Sequence, residues 1–416
     1  RTMLHISPTF LSFFIFGLVN NVLYVIILTA AHDLVSPTTP KSLILLADIL
    51  PAFLLKLALP WLVKQTTHRE TQIGLGINYR LRLAIIVALS ATGMFLTSLA
   101  LPLYIVLLGV VLASLSSGLG ETTFLQLSHF HNQDSSNTAI HGWSSGTGAA
   151  GLIGAGLILV LTTIFKLPID VVLRFCSLFP FIHLYVYYCY LPTPVLYAYS
   201  TRMEDNGINY DDPSEITNGI NLYESTFVSE TTVEKTMLTK MRNYFWVYML
   251  PLSVVYFAEY TINQGVAPTM LFPLEDTPFD TFRDSYVAYG TLYQVGVFIS
   301  RSSGSFIKLH NLYLMGILQF VNLAFCILQS MYMLIPNIWV VFLLILYEGL
   351  LGGAAYVNTF MKVSDEVGNE DREFALGCVG VSDSFGIVLA AIISLWLEPK
   401  LCGYQVGIGR NWCTKK

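Results

Sequence analysis

Charge is what this sequence lacks. Only 12% of its 416 residues are Asp, Glu, Lys or Arg, 54% are hydrophobic, and the mean hydropathy is +0.61. A soluble globular domain carries about twice that charge, and one soluble domain could not hide so much apolar side chain. Cysteine is scarce as well. Of six, Cys176, Cys189, Cys326 and Cys378 lie in apolar stretches, and no C-x-x-C or other metal spacing occurs. There is no H-E-x-x-H, no Walker spacing and no N-x-[ST] sequon. No metal or other cofactor is called for, and nothing points to nucleic acid as a partner. The first residue is not Met, so the natural chain is expected to begin earlier. The first apolar stretch is too long for a cleaved signal peptide and lacks a small-residue cleavage site, which predicts a retained signal anchor.

What is present is a series of long apolar runs. A spanning helix needs about 20 mostly apolar residues. That rule predicts an all-α, polytopic membrane protein with eleven transmembrane segments, near 10–31, 43–64, 81–101, 103–128, 139–166, 169–196, 244–268, 285–306, 311–334, 336–361 and 373–397. One long polar stretch, 197–243, holds eight acidic and four basic residues and reads as a flexible linker. It divides the chain into a six-helix bundle (1–196) and a five-helix bundle (244–397), with a tail at 398–416. Thirteen Lys and Arg fall in loops on the N-terminal side, against only Lys41, Lys166 and Arg283 on the other, so the N-terminus and the linker are expected in the cytosol. The odd helix count sends the tail to the lumen, although its four basic residues argue against that. If it is lumenal, Cys402 and Cys413 can form a disulfide; two free thiols are the alternative. The terminal "CTKK" is a poor prenylation box.

A carboxylate at the bilayer centre costs at least ~2.5–3.5 kcal/mol and so marks a cavity or a partner. Glu121 lies deep in the fourth segment, Glu259 in the seventh and Glu348 in the tenth, while the first carries Asn20 and Asn21 with Tyr24 a turn further on. These four positions resemble the cavity-lining helices of major-facilitator transporters, which are built as two helical halves. Helical spacing puts Ser114, Ser117, Glu121 and Ser128 on one face, and Tyr256, Glu259 and Asn263 on another. Glu348, Gly352, Ala355 and Thr359 form a third stripe, and the glycines at 349, 352 and 353 let the tenth helix approach a neighbour or bend. The bland alternative is that each glutamate is a buried structural partner. Asn20, Asn21, Asn263, Gln264, Tyr293 and Gln294 can supply hydrogen bonds to a polar solute, and Lys56 can meet an anion. Arg301 and Asp383 form a candidate gating pair, with snorkelling to the headgroups as the alternative for Arg301. The small residues at 142, 146, 150 and 154 predict a close packing face. His129, His131 and Asp134 could hold a metal, but loop polarity explains them better.

Taken together, "GLVNNVLYVIILTAAHD", "LLADILP", "SSGLGE", "WSSGTG", "VVYFAEYTINQG", "LYQVGVFISRSS", "LYEGLLGGAAYVNTF", "REFA" and "SDSFGI" resemble the battenin family of lysosomal and vacuolar membrane proteins. The resemblance runs through both halves and leaves out the linker and the tail. It implies a major-facilitator-like fold, a vacuolar or lysosomal membrane location and efflux of glycerophosphodiesters. Older readings of the family imply basic amino-acid balance or vacuolar pH homeostasis. Glu259 and Arg301 fall inside its motifs. The reading is a secondary transporter working by alternating access, in contact with the bilayer, a small polar solute and protons, and not an enzyme. A scaffold recruiting trafficking factors through the acidic linker is the rival from another class.

Overall fold

The computed structural model describes residues 7–34, 41–67, 79–99, 103–131, 137–192, 239–280 and 282–414. Most of the expected 197–243 linker, and Asp134, therefore lie outside the described residues. The first half contains α1 (Pro8–Leu34), α2 (Lys41–Thr67), α3 (Tyr79–Ser98), α4 (Leu103–Ser128), α5 (Thr138–Leu159) and the helical segment α6 (Ile169–Tyr190). The second contains α7 (Thr239–Thr269), α8 (Phe282–Ser302), α9 (Leu312–Tyr332), α10 (Ile338–Glu366), α11 (Asn369–Val379) and α12 (Ser382–Gly407). No strand occurs among the described residues. Eight of the described helical stretches are long and apolar enough to cross a membrane. Helices α1, α2 and α8 occupy the other expected segments, so eleven crossings stays an expectation. The outer surface suits lipid: Leu343, Val321 and Ile317 are more than 60% exposed in the middle of their helices, a pattern that water would penalise.

Small residues set the helix spacing. Helix α1 runs against α5, where a Cβ added to Gly146 would lie 2.0 Å from the Phe14 carbonyl oxygen, and one on Gly142 2.4 Å from that of Phe10. The packing face expected at 142–154 is therefore real, and it holds the first half together. Helices α8 and α10 meet in the same way through Gly349 at the Tyr293 carbonyl. Helix α10 stays continuous there, so its glycines serve approach rather than bending. The halves meet where α5 packs on α8 and α2 on α12.

The last expected segment, 373–397, differs in the structure. It begins as the separate helix α11, and α12 then continues to Gly407, ten residues beyond the expected end. Apolar content falls after residue 397, but burial of Leu401 and Gln405 keeps the helix going. Gln405 Nε2 donates to the carbonyls of Thr269 (2.7 Å) and Ser330 (2.8 Å), which pins this end to α7 and α9. Cys402 and Cys413 form a disulfide, with Cα atoms 5.8 Å apart. That outcome suits an oxidising lumen on the tail side.

Candidate functional site

The site begins on α2. Pro51 has no N–H to give the helix ladder. Beside it, Ser114 of α4 bonds to the α2 backbone: its hydroxyl accepts from Ala52 N at 3.1 Å and donates to the Asp48 carbonyl. Next to this contact lies a cavity of about 120 Å³ between the two halves, room for several waters or part of a small polar solute.

The cavity is lined by charge from both halves. Lys56 of α2 is only 3% exposed; its Nζ lies 2.5 Å from Glu121 Oε2 on α4 and 3.2 Å from Asp383 Oδ1 on α12, and it donates to Ser384 Oγ at 2.8 Å. Tyr356 of α10 donates to Glu121 Oε1 at 3.2 Å and accepts from Trp143 Nε1 at 2.9 Å. The same tyrosine ring lies under Arg301, 4.1 Å from its guanidinium carbon, in cation–π geometry. Arg301 donates to Thr147 Oγ1 and Tyr256 OH, both at 2.7 Å, and its Nε has no partner. Among the described residues no carboxylate forms a salt bridge with it. The cavity thus holds one neutralised cation and one that meets only hydroxyls and a ring.

Of the residues singled out in the sequence, Asn21, Lys56, Ser114, Ser117, Glu121, Tyr256, Tyr293, Gln294, Arg301 and Asp383 line this cavity. Asp383 faces Lys56, not Arg301 as expected, because α2 and not α8 is the helix beside its end of α12. Asn20 turns to the Ser117 carbonyl (3.3 Å) and acts in α1–α4 packing. The Tyr24 side chain lies outside the described residues. Glu259, Asn263, Gln264 and Glu348 are not on the cavity wall; they lie within the second half. There Asn263 Nδ2 donates to Glu348 Oε1 at 3.0 Å, and Tyr293 OH donates to Glu259 Oε1. Asn263 and Gln264 sit on a π-turn, Ile262–Val266, an insertion frequent at functional sites. Thr147, Tyr260, Tyr356 and Ser384 were not singled out, although they line the cavity. Tyr356 had a signal: it is two turns from Glu348 within a run of small residues.

The halves also touch at the end expected to face the cytosol. Asn137, at the start of α5, donates to Asp365 Oδ1 at 2.7 Å and accepts from Ser364 Oγ at 2.6 Å. Tyr79 OH donates to Glu373 Oε1 of α11 at 2.5 Å. Nearby, both ring nitrogens of His131 face carbonyl oxygens, Leu127 at 3.2 Å and Pro192 at 3.1 Å. Burial holds this imidazole below the usual histidine range, partly offset by those carbonyls. With both nitrogens occupied, His131 has none to offer a metal.

The chain is similar to known proteins along nearly its whole length. The model of the CLN3 protein family matches residues 11–404. Protein BTN1 of Yarrowia lipolytica is 52% identical over 403 residues, covering 97% of each chain. Protein BTN1 of Candida albicans is 47% identical over 436 residues, covering 98% of this chain and 97% of the relative. In structure the chain resembles FucP, a major facilitator superfamily transporter in its outward conformation, with a TM-score of 0.50 at 15% identity, covering 97% and 98% of the two chains. That likeness shows a major-facilitator-like fold. The protein belongs to the CLN3 (battenin) family of multi-pass membrane proteins.

Proposed function

We propose that the protein is a secondary transporter of the vacuolar or lysosomal membrane that exports glycerophosphodiesters from the lumen by alternating access. The observation that carries this reading is Arg301: a cation on the wall of a cavity between two halves, without a carboxylate partner among the described residues. A phosphodiester keeps one negative charge at any lumenal pH, and a guanidinium fork matches its two free oxygens. The Thr147 and Tyr256 hydroxyls that now hold the fork can turn aside or join the phosphate. Asn21, Gln294 and Tyr260, on the same wall, suit the hydroxyls of the glycerol groups. The inter-half contacts at one end and the cavity between the halves suit a protein whose halves rock about a central site. The N-terminus and the 197–243 linker are placed in the cytosol in this reading.

A second reading, transport of a basic amino acid, is favoured by the cavity carboxylates Asp48, Glu121 and Asp383. Lys56 already engages two of the three, which weakens it. The test is uptake of labelled glycerophosphoglycerol and, separately, arginine into liposomes containing the purified protein. Diester uptake above that of empty liposomes supports the proposal. Arginine uptake alone moves the second reading forward, and movement of neither by folded protein leaves the scaffold role.

A further inference from the structure

The second half contains a polar site that the solute cavity does not use. Helices α7 and α10 run side by side there, with Glu259 against Gly352 and, one turn on, Asn263 against Glu348. A Cβ on Gly352 would lie 2.3 Å from Glu259 Oε2, so the glycine makes the space in which that carboxyl group sits. Glu259 and Glu348 are 1% and 0% exposed. Each spends one oxygen on a neutral donor, Tyr293 OH or Asn263 Nδ2, and each leaves Oε2 without a partner. No lysine or arginine forms a salt bridge with either among the described residues; the charge of Arg301 reaches Glu259 only through space, and Tyr256 and Tyr260 are the other titratable groups beside Glu259. A third buried oxygen nearby also lacks a donor. Gln319 of α9 is fully buried, holds its amide nitrogen 3.5 Å from the Glu348 carbonyl oxygen, and has no partner for Oε1.

Buried oxygens that lack donors, on two acidic side chains in a medium of low dielectric, call for positive charge. We infer that Glu259 and Glu348 form a binding site for a small monovalent cation, a proton or sodium, separate from the solute cavity. One ionised carboxylate, a second carboxyl group that keeps its proton, and the Gln319 amide oxygen suit one positive charge. A divalent ion normally takes more acidic ligands, and no cluster of three or more His, Cys, Asp or Glu that could hold a metal ion occurs among the described residues. The site communicates with the cavity through Tyr293, which lines the cavity and donates to Glu259. A cation at Glu259 Oε2 draws charge from the carboxylate, weakens the bond that Oε1 accepts from Tyr293, and so changes how Tyr293 is held beside Gln294 and, two turns further along α8, Arg301. Occupancy of the site stands independently of the proposed transport; its coupling to solute movement rests on that reading.

The test uses the full chain purified in detergent. Thermal unfolding is followed while NaCl replaces choline chloride at constant ionic strength, and again from pH 5 to pH 8, for wild type, Glu348→Gln and Glu259→Gln. Both substitutions keep an oxygen for Asn263 or Tyr293 and remove the negative charge. A ligand at tenfold its Kd raises the midpoint by about 1–2 °C in a chain of this size, and at a hundredfold its Kd by about 3 °C. A sodium-dependent rise seen in wild type and lost in both variants assigns sodium. A difference between wild type and variants that depends on pH and not on sodium assigns the proton. Identical responses of all three proteins to both series overturn the site. If one variant does not fold, the other, and Gly352→Ala with its displaced carboxyl group, carry the comparison. In liposomes, accumulation of glycerophosphoglycerol driven by the assigned ion should fall at least tenfold in Glu259→Gln. Wild-type uptake indifferent to both gradients overturns the coupling while leaving the transport proposal intact; wild type that moves no solute removes that proposal and leaves the unfolding experiment to decide the site.

Discussion

Lys56 on α2 reaches Asp383 on α12 at 3.2 Å, across 327 residues of sequence, and so joins the two halves through a buried ion pair. Its second partner, Glu121, belongs to the first half, so Lys56 stands between a carboxylate of each. Removing the shared cation leaves two buried carboxylates facing each other. Lys56→Met should therefore cost about 3–5 kcal/mol of stability, while Asp383→Asn, which leaves Lys56 its bond to Glu121, costs less. Thermal unfolding of the purified variants checks this order; equal losses would show that the three groups do not act together.

Ser114 ties α4 to the α2 backbone beside Pro51. Ser114→Ala leaves the Ala52 N–H and the Asp48 carbonyl without the hydroxyl they share. The expected loss is about 1–3 kcal/mol from unsatisfied buried groups. Thermal unfolding of the variant checks this; an unchanged midpoint would show that the two backbone groups do not depend on the hydroxyl.

Gly146 meets backbone, not side chain. A methyl group there must push α1 away from α5, because the Phe14 carbonyl has nowhere to go. Gly146→Ala should lower the unfolding midpoint sharply, whereas alanine at Gly156, where an added Cβ meets nothing within 4 Å, should be neutral. Equal midpoints for the two would contradict the packing described for the first half.

His131 gives a pH dependence with a definite sign. Its imidazole titrates lower in the fold than in the unfolded chain, chiefly because it is buried. The unfolded state therefore binds the proton first, and stability is lost as pH falls through and below about 6.5. Wild type should lose more stability than His131→Gln between pH 7.5 and pH 5. Parallel curves would remove the histidine from the account.

Much of this was legible in the sequence, and the limits have physical causes. Apolar runs and small-residue spacing determine which residues form helices and which faces approach, so the helical architecture and the packing face of α5 could be read directly, but not that α1 is its partner. Of the polar stripe expected on α4, Ser114, Ser117 and Glu121 reach the cavity wall, whereas Ser128 is off it and donates to the Leu125 carbonyl. A stripe does not say which neighbour it faces. Glu259 and Glu348 share the expected helices with cavity residues, yet point to each other's helix inside the second half. The π-turn at Ile262–Val266 adds a residue to one turn and rotates everything after it, which spacing at 3.6 residues per turn cannot register. Partners far apart in sequence, such as Lys56 and Asp383, carry no local pattern. The continuation of α12 to Gly407 depends on burial against α7 and α9, which hydropathy along one segment does not report.

The most direct test of the central claim is the uptake of labelled glycerophosphoglycerol into liposomes by wild type, Arg301→Lys and Arg301→Gln, each shown to be folded. Arg301→Gln removes a charge-assisted bond of about 1.5–3 kcal/mol, so uptake at limiting substrate should fall roughly 10- to 100-fold. Arg301→Lys, which keeps the charge and loses the fork, should fall between. Uptake by Arg301→Gln equal to that of wild type would contradict the assignment of Arg301 as the anion-binding residue.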